Sequence, residues 1–319
     1  MRFIPNFNGY DFFPHGTHID FMRYRKICFW GSIFAMVLSL VLFFVNGLNY
    51  GVDFKGGTMI EVQTASGERA DVAAIRNQLG SLGLGDIQIQ EFGGTTDVLI
   101  RLEQQAGDEQ AQQVAMKKVI DTLGSGYVQR RIEVVGPAVS AELRRTGVLA
   151  VVAAVLAIMA YVWFRFEWQF AVGTLVSLAH DVLAVVGIFS LFHLEFDLGI
   201  VAALLTILGY SVNDTVVVSD RIRENLRKYK RMELRELLNL SINETLSRTI
   251  LTGVTTIVVL LALFIFGGSV MRYFTLAMLL GVLIGTYSSI FIAAPILEVF
   301  GVKRETVTGG SDKTAAARG

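Results

Sequence analysis

The carboxylate of Asp214 stands four positions before the end of an apolar run, Leu198–Val218, that is long enough to cross a bilayer. An ionisable side chain at the centre of a membrane helix costs about 2.5–3.5 kcal/mol on insertion scales, so it marks either a charge path or a paired group. Arg248 stands just before the next apolar run, Ile250–Phe266. Arginine keeps its charge at any working pH. A guanidinium beside Asp214 would hold it ionised, and separating the two would favour proton uptake. Pairing and protonation in alternation is the chemistry of a proton relay. Two plainer roles fit the same residues. Asp214 could cap or pair between packed helices without proton traffic, and Arg248 could snorkel to the headgroups. His180 and Asp181 lie near the middle of a third apolar run, one turn after Ser177, and Asn213 adjoins Asp214. These either extend a relay or form hydrogen bonds between helices. His180 has no second His, Cys or spaced carboxylate set beside it, so no metal is expected.

The elements that must position these groups follow from composition. Hydrophobic residues make up 53% of the chain and charged residues 18%, against about 25% charged in soluble domains. Six runs are long and apolar enough to span a membrane: Ile27–Val45, Gly147–Phe164, Gln169–Phe192, Leu198–Val218, Ile250–Phe266 and Tyr273–Phe300. The first follows Arg23, Arg25 and Lys26, is too long for a signal-peptide core and lacks a small-residue cleavage pattern, so it reads as an uncleaved anchor. Lys and Arg crowd the fourth-to-fifth connection (Arg221, Arg223, Arg227, Lys228, Lys230, Arg231, Arg235), with Arg165 in the second-to-third turn and Lys303 and Arg304 after the last span. The third-to-fourth connection has none, and the fifth-to-sixth has Arg272 alone. The positive-inside rule then places both termini in the cytoplasm. Cys28 is the one cysteine, so no internal disulfide exists.

Between the first two spans the chain turns polar for about a hundred residues, enough for a small domain. Thr58–Gln63 reads as a strand, Asp71–Leu82 as a helix, Ile87–Phe92 and Val98–Leu102 as strands joined at Gly93–Gly94, Asp108–Leu123 as a helix and Val128–Val135 as a strand. The order βαββαβ is the ferredoxin-like split βαβ. The expected fold is therefore an α-helical polytopic membrane protein with six transmembrane helices and one small α+β extracytoplasmic domain. Its parts are a cytoplasmic segment 1–26, a first helix 27–45, the domain 46–145, helices two to six over 146–300 with a basic cytoplasmic loop 221–248, and a disordered tail 301–319.

Before that domain stands Gly51–Val52–Asp53–Phe54–Lys55–Gly56–Gly57–Thr58. It is a turn at a membrane boundary, with Gly56 and Gly57 free to take positive φ. Its lysine is not placed as in a phosphate-binding loop. This run after a first span resembles the signature of the SecD/SecF family of bacterial protein-export proteins, within the resistance-nodulation-division group. The run Gly209–Asn225 (GYSVNDTVVVSDRIREN) and the run Thr245–Gly253 (TLSRTILTG) resemble the SecF branch of that family. The resemblance implies Asp214 and Arg248 as proton-relay residues and Gly51, Asp53, Phe54, Gly56 and Gly57 as the family signature. It implies SecD as partner, the SecYEG translocon with SecA and YajC beyond it, a translocating polypeptide and protons as cargo, and the inner membrane as location.

No nucleophile elbow, Walker loop, metal cluster or dinucleotide fingerprint is present, so the chain reads as a transport component without cofactor and not as an enzyme. The basic segment Arg221–Arg235 fits a solvated, lipid-facing helix better than a nucleic-acid site. Gly281 and Gly285 form a GxxxG spacing suited to close helix contact, internal or with a partner. Two other readings remain open at this stage. One is a proton-driven small-molecule exporter, which would ordinarily carry larger outside domains and a second half. The other is a passive scaffold, against which Asp214 argues.

Overall fold

The computed structural model describes residues 18–85, 87–91, 94–105, 109–268 and 271–302. Gly93, Asp108, Lys303, Arg304 and the rest of the expected tail lie outside the described residues. Six helices meet the length and hydropathy of a membrane span: α1 (Arg25–Asn46), α5 (Pro137–Arg165), α6 (Trp168–Leu191), α7 (Leu198–Lys228), α8 (Leu234–Phe266) and a last helix over Arg272–Val299. The last one comprises α9 (Arg272–Ser288), a π-helical turn at Ser289–Ala293 and α10 (Ala294–Val299).

Three of these helices run well past their apolar stretches. α5 begins ten residues before Gly147, α7 continues ten residues past Val218, and α8 begins sixteen residues before Ile250. Hydropathy sees only the part solvated by lipid, whereas the backbone ladder continues into water where side chains support it. The expected basic loop 221–248 is thus a helical hairpin with a short turn at 229–233. Asn225 on α7 holds it closed, its Nδ2 donating to Ser241 Oγ (3.0 Å) and Glu244 Oε2 (2.7 Å) on α8. Asp220 pairs with Arg165 at 3.7 Å instead of with its neighbours Arg221 and Arg223.

α6, α7 and the last helix form the bundle centre. Half of the most apolar stretch of α6 and of α7, and 61% of that of the last helix, is buried, against 11–17% for α1, α5 and α8. Small residues let the inner helices approach, as membrane packing requires. A Cβ at Gly281 would overlap Ile207 of α7, and one at Gly285 would lie 3.1 Å from the Ser211 side chain. The GxxxG pair is therefore an internal α7–α9 contact.

The domain inserted after α1 holds β2 (Gly57–Thr64), α3 (Val72–Gly80), β3 (Ile87–Glu91), β4 (Asp97–Leu102), α4 (Glu109–Leu123) and β5 (Tyr127–Val135). Its antiparallel sheet has the order β3-β4-β2-β5, the ferredoxin-like arrangement. Asp71 caps α3 by accepting from Ala74 N at 2.9 Å. On one sheet face Ile60, Val62, Val98, Ile100 and Leu102 pack with Ile75, Leu79 and Val119 of the helices. Strand alternation turns Leu99 and Arg101 to the other face, and both are buried there.

That second face meets the bundle. Arg101 and Glu195, 9% and 7% exposed, form an ion pair between β4 and the α6–α7 connection. In the same connection β6 (Glu195–Phe196) pairs in parallel with β1 (Asn49–Tyr50), just after α1.

Candidate functional site: two intramembrane carboxylates

Tyr210 and Asp214 are four residues apart on α7 and so share one helical face. Asp214 is 2% exposed, and its Oδ2 is buried without a hydrogen-bond partner among the described residues. Thr215 Oγ1 on α7 and Thr249 Oγ1 on α8 are buried in the same condition, while the buried Tyr210 hydroxyl faces Thr252 and Thr256 of α8 and Thr286 of α9. An added Cβ at Gly253 of α8 would lie 3.7 Å from both Tyr210 Oη and Thr286 Oγ1, which places the tyrosine hydroxyl where α7, α8 and α9 meet. The α7–α8 seam is thus polar between two helices that are long and apolar enough to cross a membrane. Asp214 Oδ2 takes no hydrogen bond there among the described residues.

Arg248 lies fourteen residues into α8, not at its start. Its side chain is exposed, and it acts on Asp214 electrostatically with no ion pair within 4.0 Å. The two motif charges therefore stand on adjacent helices and interact electrostatically without forming an ion pair. Asn213, next to Asp214 in sequence, is also exposed and joins neither carboxylate cluster. At 100° per residue it points away from the seam.

Asp181 is the opposite case. It is 0% exposed and fully engaged. Its Oδ2 accepts from Ser211 Oγ of α7 (2.5 Å) and Ser288 Oγ of α9 (2.9 Å), and His180 Nδ1 lies 3.1 Å from its Oδ1. Ser177 Oγ reaches Ser288 Oγ at 2.8 Å. The π-helical turn begins at the next residue, Ser289, a common device near functional positions. Ser211 lies inside the Gly209–Asn225 run but is not distinguished there, and Ser288 lies in no motif; only their small polar side chains on the inner faces of apolar helices could have marked them as partners of Asp181.

The signature run forms a staple on the domain side. Gly51 begins a four-residue helix, α2 (Val52–Lys55), and is packed so tightly that an added Cβ would lie 3.0 Å from Glu195 Oε1. Asp53 Oδ2 accepts from Leu198 N at 2.9 Å, satisfying a free N–H at the first turn of α7. Phe54 is buried against Tyr50 and Phe196. Gly56 and Gly57 take φ of +75° and +112°, turning the chain from α2 into β2. Asp197 caps α7 as well, through Ile200 N at 3.0 Å. Burial pushes the Glu195 carboxyl above its ordinary range, with Arg101 pulling the other way and Asp197, Asp53 and Glu133 adding to the rise. Burial likewise raises Asp197, offset in part by the Ile200 amide.

Residues 115–303 match the family described as protein export membrane protein SecD/SecF, C-terminal, and residues 41–68 match the SecD/SecF GG motif. The chain belongs to the SecD/SecF family. It is 46% identical to the protein translocase subunit SecF of Cereibacter sphaeroides over 95% of both chains, and 43% identical to that of Escherichia coli O157:H7 over 91% of both. The crystal structure of SecDF, a translocon-associated membrane protein from Thermus thermophilus, aligns with a TM-score of 0.81 at 36% identity. It covers 90% of this chain and 39% of that one. The chain is therefore a SecF-type subunit of the translocation machinery, a transport component and not an enzyme. The GG-motif match spans the end of α1, the staple and β2. The C-terminal match spans every helix that contributes to the Asp214 and Asp181 clusters.

Proposed function

We propose that this SecF-type subunit acts with SecD, beside the SecYEG translocon with SecA and YajC, to couple inward proton flow to polypeptide export across the bacterial inner membrane. Both termini and the basic hairpin lie in the cytoplasm in this reading, and the ferredoxin-like domain faces the periplasm. The clustering of Lys and Arg at the end of the bundle remote from the domain supports that orientation. Asp214 carries the proton and Arg248 sets its charge state, making and losing electrostatic contact as α7 and α8 shift. Asp181 and His180 hold α6, α7 and α9 in register.

The observation that carries this reading is the buried, unpartnered Oδ2 of Asp214 on a helix whose first turn is bound to the domain staple. Proton gain or loss at that carboxylate changes the packing of α7, and α7 is attached to what lies outside. Asp214→Asn keeps the size and removes the titratable proton. Inverted vesicles holding this variant should assemble the complex normally and translocate a precursor at the rate seen without a gradient. Stimulation by an imposed gradient equal to that of the unaltered protein would remove Asp214 from the relay.

A further inference from the structure

On the domain side of the bundle an apolar crevice of about 320 Å³ opens between α1, α5 and α6, within the size range of ligand sites. Phe43, Tyr50, Phe54, Val151, Val186 and Leu204 line its walls. α1 and α5 both pack on α6, and the staple helix α2 packs on α5 and sends Phe54 into the crevice lining. The lining residues of α6 reach down to Val182, nine residues from the helix end at Leu191. At 1.5 Å per residue the crevice extends about 13 Å into the membrane. That is close to half of the roughly 30 Å hydrocarbon core, the depth of one leaflet.

The crevice has one charged lining residue among the described residues, Arg144 at its mouth. Arg144 lies three residues before Gly147, where the apolar run of α5 starts, so its guanidinium stands at headgroup level. Arg144, Val148, Val151 and Val152 follow one face of α5, placing the cation directly above the apolar wall. Arg144 and its neighbour Arg145 are exposed and take part in no ion pair among the described residues. Glu142 lies about 200° around the helix from Arg144 and does not line the crevice. An apolar slot one leaflet deep beneath an uncompensated arginine matches a single ligand chemistry, a fatty tail joined to an anionic head. Arginine binds phosphate oxygens through paired N–H donors, and basic pockets between membrane helices select anionic headgroups.

We propose that this crevice binds one acyl chain of an anionic membrane phospholipid, with the headgroup phosphate held by Arg144. Phe54 of the family signature and Leu204 of α7 form part of its wall. The bound tail is therefore packed against both the staple and the helix that carries Asp214.

The test is native mass spectrometry of the full chain, purified in detergent and titrated separately with phosphatidylglycerol and phosphatidylcholine. The anionic lipid should be retained about fivefold better, the size expected of one arginine beside an anionic and not a zwitterionic headgroup, since both phosphates accept from the guanidinium but choline offsets the charge of the second. Arg144→Gln should abolish that preference, while Arg227→Gln, on the far side of the membrane, should leave it intact. Val151→Trp, which fills the slot, should weaken both lipids. A photoreactive residue at Val152 in native membranes should give lipid adducts. Equal retention of the two lipids by the unaltered chain would overturn the proposal. So would an unchanged preference in Arg144→Gln, or a polypeptide adduct at position 152 marking the crevice as a protein contact. Arg144→Gln alters only an exposed side chain, so its result stands even if Val151→Trp fails to fold.

Discussion

Asp214 and Asp181 are carboxylates on neighbouring helices of one bundle, and their surroundings differ. Asp181 accepts from two serines on two other helices and faces His180, which joins α6 to α7 and α9. Asp214 has an oxygen with no donor on it among the described residues. Buried polar atoms are nearly always hydrogen-bonded, so an unsatisfied carboxylate oxygen stands out as a position where a water, an ion or a proton is accommodated. Arg248 is exposed and not tied into an ion pair within the described residues, so its replacement should leave the fold within about 0.5 kcal/mol of the original. Its effect should appear in transport instead. Arg248→Lys keeps the charge but loses the planar fork, and gradient-driven translocation should fall about tenfold, equivalent to about 1.4 kcal/mol on the limiting step. Normal insertion should accompany that loss. Full export by Arg248→Met would reduce the residue to an interfacial anchor.

At the scale of elements, the staple is the feature that joins the domain to the membrane helices. Asp53 bonds the first turn of α7, β1 pairs with β6, and Arg101 of the sheet meets Glu195. The acids outnumber the bases there, and burial raises Glu195 and Asp197. A carboxyl whose pKa is higher folded than unfolded binds more protons in the folded state. Its contribution to stability is complete below the unfolded value near 4.5 and is lost as pH rises through the raised folded value. The slope cannot exceed about 1.4 kcal/mol per pH unit for each such proton. Thermal unfolding of the detergent-solubilised chain should therefore show a Tm that falls as pH climbs above 4.5. Glu195→Gln, which still bonds Arg101 but cannot titrate, should flatten part of that fall. A pH profile identical to the original would mean that Glu195 does not titrate in the folded junction.

For the whole molecule, the question is whether proton movement in the bundle has anything to act on outside it. Gly57 and Val135 are partners in the β2–β5 ladder, so the two ends of the domain emerge side by side, about 5 Å apart by strand geometry. Removing residues Thr58–Val135 should then leave a chain that reconnects without strain. The domain keeps its own apolar core around Ile60, Ile100 and Leu79, and the bundle keeps its own around Ile207 and Val282. The shortened protein should insert and accumulate, and pulse-chase export of a secreted protein should drop to the level of a strain lacking the subunit. Sensitivity to dyes and detergents should not change. Normal export together with new drug sensitivity would favour the small-molecule exporter over the translocation role.

The amino-acid sequence by itself determined the six spans, the βαββαβ order, the family and the motif carboxylate. Those features are written in local periods and runs: about 20 apolar residues for a span, two- and 3.6-residue periods for strands and helices. Only the tertiary structure decided the rest. Hydropathy says that a helix lies in lipid but not how it is rotated there. Rotation buries Asp214 while leaving its neighbour Asn213 exposed, and it turns Arg248 outward. It brings Ser211 and Ser288, 30 and 107 residues away, onto Asp181, and it turns the GxxxG pair inward against α7. The same holds for Arg101 and Glu195, on strands of two different sheets, which meet because strand alternation turns Arg101 away from the domain core and toward the bundle.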